Sequence, residues 1–86
     1  MSAGTYDKET VHFTLRRLND NSVRELEEII HDMEDVVGEV LAASTLRDER
    51  GCTDFQITLS SEYADASISE AKLFLSEQLQ AHKLLL

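Results

Sequence analysis

The sequence predicts an α+β domain with two helices on one face of an antiparallel sheet. Three observations carry that expectation. Apolar residues alternate at period two in "TVHFTLRRL" and "CTDFQITLS", which marks strands with one buried face. Two stretches, from Ser22 and from Ser67, pair a serine with a glutamate three residues on and continue as helical stripes. Between them, "RDERG" is a polar turn that ends in glycine.

Residues 1–9 are small or polar and without period, so a frayed arm is expected before a single domain over 10–86. Val11, Phe13 and Leu15 then alternate with His12, Thr14 and Arg16 in the first strand. "LNDNS" is a turn cluster, and Ser22 with Glu25 has the spacing of a capping box. Val23, Leu26, Ile29, Ile30 and Met33 follow on one helical stripe, with Glu25, Glu28 and Asp32 turned to water. Residues 35–46 are ambiguous between helix and strand. Gly38 lowers helix propensity by about 1 kcal/mol relative to Ala and the valines favour a strand, while Glu39, Ala42 and Ala43 favour a helix. The strand is the better fit, because a hairpin through "RDERG" then joins it to the run containing Phe55, Ile57 and Leu59.

After "SEYADAS", Ser67 and Glu70 repeat the capping-box spacing before Ile68, Ala71, Leu75 and Leu79. The closing "HKLLL" fits a last strand, with Leu84 and Leu86 on one face and Leu85 on the other. It also fits a continued helix through Leu79, His82 and Leu86, or a segment cut off from what it packs against. The order βαββα, with a possible C-terminal strand, is the split βαβ arrangement of ferredoxin-like domains.

The chain has 86 residues, and a domain of that size buries only about 60–65% of the surface its unfolded form exposes. Its single cysteine, Cys52, points to a reducing, cytoplasmic setting rather than a disulfide framework. No apolar run is long enough for a membrane span, and the first ten residues lack the pattern of a signal peptide. Eight Lys and Arg against seventeen Asp and Glu give a net charge of -9, which opposes approach to nucleic acid or an anionic bilayer.

No constellation for catalysis stands out, and neither a cofactor nor a metal is expected. Cys52 has Arg50 nearby but no base assigned to it, and Glu27, His31 and Asp35 line one helix side without completing a ligand set. The expected role is therefore a non-enzymatic regulatory or protein-interaction module, which self-associates as a homo-oligomer or docks on a basic protein surface. Its candidate docking residues are Glu25, Glu27, Glu28, Asp32, Glu34 and Asp35 on the first helix, together with Leu84, Leu85 and Leu86. An acidic inhibitor that mimics DNA in a basic groove is the alternative the same charge suggests.

From the strand "VHFTLRRL" through the loop "LNDNS" to the hairpin "VLAASTLRDERGCTDFQITL", the order of elements resembles the ACT family of small regulatory domains. That resemblance implies a ferredoxin-like fold, pairing through strands or helices, and an amino acid bound at the interface. In the family a glycine in the loop after the first strand usually permits close approach of the ligand. Here Asn19, Asp20, Asn21 and Ser22 stand in that loop, which marks them as the candidate ligand loop of a small-ligand sensor.

Overall fold

A computed structural model describes residues 7–38, 40–61 and 65–86. In chain order the elements are β1 (Asp7–Arg16), α1 (Asp20–Val37), β2 (Leu41–Glu49), β3 (Cys52–Ser61) and α2 (Asp65–Ala81). The class is α+β, with one three-stranded antiparallel sheet in the order β1-β3-β2.

The alternation in β3 decides which face of the sheet is covered. Thr53, Phe55, Ile57, Leu59 and Ser61 are buried, whereas Gln56 is exposed and Cys52, Asp54, Thr58 and Ser60 are half-exposed. Val11, Phe13 and Leu15 of β1 lie opposite Ile57, Phe55 and Thr53, so the pleat puts them on the same covered face. The rings of Phe13 and Phe55 stack there with centroids 5.9 Å apart. Onto this face α1 brings Leu26, Ile29 and Met33, and α2 brings Ile68, Ala71, Leu75 and Leu79, each set one helical stripe. Each large side chain fully buried in this way contributes roughly 1.5–3 kcal/mol.

Several boundaries differ from the sequence expectation. β1 starts at Asp7, so residues 7–9 of the expected arm are strand, paired with Ser61, Ser60 and Leu59; residues 1–6 lie outside the described part. The N-cap of α1 is Asn19 rather than Ser22. Its Oδ1 accepts from the Ser22 N–H at 2.9 Å and from the Ser22 hydroxyl at 3.1 Å, which places Ser22 inside the first turn. Residues 35–46 divide between helix and strand. The stripe of α1 runs on through Val37, then Gly38 at φ +89 ends the helix while its N–H still donates to the Glu34 carbonyl, and β2 begins at Leu41.

The turn of the hairpin is only Arg50 and Gly51, the glycine at φ +83, because Arg47, Asp48 and Glu49 continue the ladder opposite Asp54, Thr53 and Cys52. The second helix starts at Asp65, so Ser67 and Glu70 are helical and do not cap it. At the C-terminus, a single bridge of Leu85 to Leu15 replaces the expected strand, and α2 ends at Ala81 without continuing. Leu84 enters the core, but Leu86 is 75% exposed, so the two do not share one buried face.

Candidate functional site

Three surfaces remain uncommitted to the core, the first of them marked out by its carboxylates in the sequence. The first is the outer face of α1. Glu27, Glu28, His31, Asp32 and Asp35 are exposed there, since the opposite stripe of Leu26, Ile29 and Met33 faces the core. His31 Nδ1 lies 3.8 Å from an Asp35 carboxylate oxygen, one turn on. Glu34 is half-buried. Glu25 also leaves this group, because it contacts the end of α2, where His82 Nδ1 lies 3.2 Å from its Oε1. Among the described residues no cluster of three or more His, Cys, Asp or Glu side chains is placed to hold a metal ion.

The candidate ligand loop is not a loop for most of its length. Asn19 is the N-cap with its carbonyl side chain engaged, and Asp20, Asn21 and Ser22 form the first turn of α1. Asp20 and Asn21 are exposed.

The second surface is the helix-free face of the sheet. Lys8, Thr10, His12, Thr14 and Arg16 of β1, Gln56 of β3, and Leu41, Ala43, Thr45, Arg47 and Glu49 of β2 are exposed on it. It is mostly polar. Thr10 and Thr58 share a cross-strand hydrogen bond of 2.9 Å between their hydroxyls, and His12 Nδ1 sits 3.9 Å from Asp54. Cys52 is half-exposed, between Arg16 and Glu49 in neighbouring strands.

The third surface is the edge formed by β2. From Ala43 to Glu49 every residue is exposed, on both sides of the pleat. Beyond Ala42, which packs against the core, this strand is bare: Leu46, on the covered side beside Phe55, remains 42% exposed, and Leu41 on the other side is 67% exposed. Among the described residues β2 pairs only with β3, so its outer backbone groups have no strand partner. The signal was present in "LAASTLRDE", where Leu41 and Leu46 stand five residues apart and so fall on opposite faces, and the covered face holds only Ala42 beside Leu46 as apolar residues.

The other sheet edge differs. The outer side of β1 is met near its end by the C-terminal segment, where the Arg16 N–H donates to the Leu84 carbonyl at 2.8 Å and the Leu86 N–H to the Thr14 carbonyl at 3.0 Å. Leu84 is thereby buried and Leu85 half-buried, leaving Leu86 as the exposed member of the predicted docking trio. Among the described helices none is long and apolar enough to cross a membrane. No protein-family model matches the sequence, and no curated protein or solved structure gave a match.

Proposed function

We propose that the chain is a non-enzymatic protein-interaction module of the ferredoxin-like, split βαβ kind that works by self-association. The fold reading is supported by β3 lying between β1 and β2 and antiparallel to both, with α1 crossing between those two, and by the bridge of Leu85 on the far side of β1. The functional reading rests on one observation. A nine-residue strand is solvated on both faces, beyond the first residues, and among the described residues it has no strand partner on its outer edge.

Folded proteins commonly blunt such edges with proline, charged side chains (lysine above all), a bulge or a short strand. β2 has no proline and no lysine, its charges (Arg47, Asp48 and Glu49) are confined to its last three residues, its register with β3 runs without a gap, and it exceeds the usual strand length of about 5–6 residues. A strand left in this state is a template for another strand. Sedimentation velocity from micromolar to near-millimolar concentration tests the reading directly. A rising weight-average mass is expected; a strict monomer throughout would overturn it.

A second reading is favoured by the outer face of α1, where Glu27, Glu28, Asp32 and Asp35 offer a docking surface for a basic partner. It predicts binding to a basic protein that weakens steeply with salt.

A further inference from the structure

We infer that the partner of β2 is β2 of a second copy, joined antiparallel about a two-fold axis through Thr45 to give one continuous six-stranded sheet. This rests on the self-association proposed above and says where and in what register it occurs. Thr45 is the middle of Leu41–Glu49, so this register pairs all nine residues of each strand.

The charges select the antiparallel arrangement. Leu41 then faces Glu49 of the second copy, Ala42 faces Asp48, Ala43 faces Arg47 and Ser44 faces Leu46, so no like charges stand opposite one another. A parallel pairing in register would set Arg47, Asp48 and Glu49 each beside its own twin, and like charges directly opposite are destabilising. At the axis the two Thr45 side chains meet on the helix-free face. The sheet already makes this contact once, between Thr10 and Thr58 on the same face. The two Leu46 side chains, 42% exposed in one copy, become diagonal neighbours on the other side, where the helices leave the strand bare.

The axis makes a specific test possible, because only a residue on it meets its own twin. In a Cys52→Ser background, Thr45→Cys places two thiols on opposed residues whose Cα atoms are about 4.5–5.5 Å apart, within disulfide range. Ala43→Cys, two residues off the axis, stands about 14 Å from its twin. Leu73→Cys is an exposed control on α2. Under mild oxidation, non-reducing electrophoresis should show covalent dimer from Thr45→Cys and little from the other two.

Equal cross-linking at all three positions would overturn the inference. So would a dimer by sedimentation that Thr45→Cys fails to trap, which would leave self-association standing by another surface. A monomer by sedimentation would remove both. A second variant, Leu46→Lys, changes an exposed side chain and should weaken the dimer by about tenfold by placing two cations on the diagonal; an unchanged dissociation constant would count against β2.

Discussion

The Leu84 N–H donates to the Leu79 carbonyl at 2.9 Å, and the Lys83 N–H to the Gln80 carbonyl at 3.0 Å, so a Schellman turn ends α2 and folds Leu84 back into the core that holds Leu79. That turn also aims the last residues at the edge of β1. It requires a left-handed residue, and the chain supplies Lys83 at φ +58, the one non-glycine with positive φ among the described residues. A side chain in this region costs roughly 1–2 kcal/mol relative to glycine. Lys83→Gly should therefore stabilise the domain, by about 1 kcal/mol after the added entropy of the unfolded glycine, as a shift of the urea midpoint with unchanged slope. Leu84→Ala should move the midpoint the other way, by about 2–3 kcal/mol, since Leu84 is only 5% exposed.

Gly38 ends α1 in a conformation that side chains rarely take, at φ +89 and ψ −77. A Cβ built there meets nothing within 4 Å. The cost of Gly38→Ala is then a backbone cost alone, on the order of 1–3 kcal/mol, without any clash to relax. Thermal unfolding followed by circular dichroism should show the loss. A variant as stable as the parent would mean that the α1–β2 connection relaxes into another conformation.

Apolar periodicity makes the covered half of this fold legible in the sequence. Phe55, Ile57 and Leu59, and the stripes Leu26–Ile29–Met33 and Ile68–Ala71–Leu75–Leu79, are buried where the pattern put them. Helix ends were harder, because asparagine and serine both cap helices well and the helix starts one turn earlier than the Ser22–Glu25 spacing indicates, with Asn19 accepting from the Ser22 N–H. With Ser22 inside the first turn, Glu25 does not close a capping box and lies instead near His82, fifty-seven positions away, a proximity that local spacing does not encode. β2 was only half legible. Leu41 and Leu46 fall on opposite faces, so its residues mark no single buried face and the absence of period-two apolar alternation is the only trace its exposure leaves in the sequence.

The acidic face of α1 gives a test that separates the two functional readings. Glu28 and Asp32 stand one turn apart and both are exposed, a like-charge pair that costs a few tenths of a kcal/mol. Replacing Glu27, Glu28 and Asp32 by Gln, Gln and Asn should raise the melting temperature slightly at low salt, with the gain fading as salt screens the charges. Self-association through β2 should survive the change. Capture of a basic protein by α1 should not.

Thr53 is 2% exposed at the start of β3, opposite Leu15 and Asp48, and among the described residues its hydroxyl has no hydrogen-bond partner. A buried hydroxyl left unpaired loses its hydrogen bonds to water and gains none in return, at a cost of about 1–3 kcal/mol. Valine keeps the branched shape, replaces the hydroxyl with a methyl group and suits a strand as well as threonine does. Thr53→Val should therefore raise stability by about 1 kcal/mol in urea unfolding, whereas Thr53→Ser, which keeps the hydroxyl and removes a methyl group, should lower it. Stabilisation by neither, with Thr53→Val clearly destabilised, would mean that the hydroxyl is satisfied in solution by a partner such as a buried water.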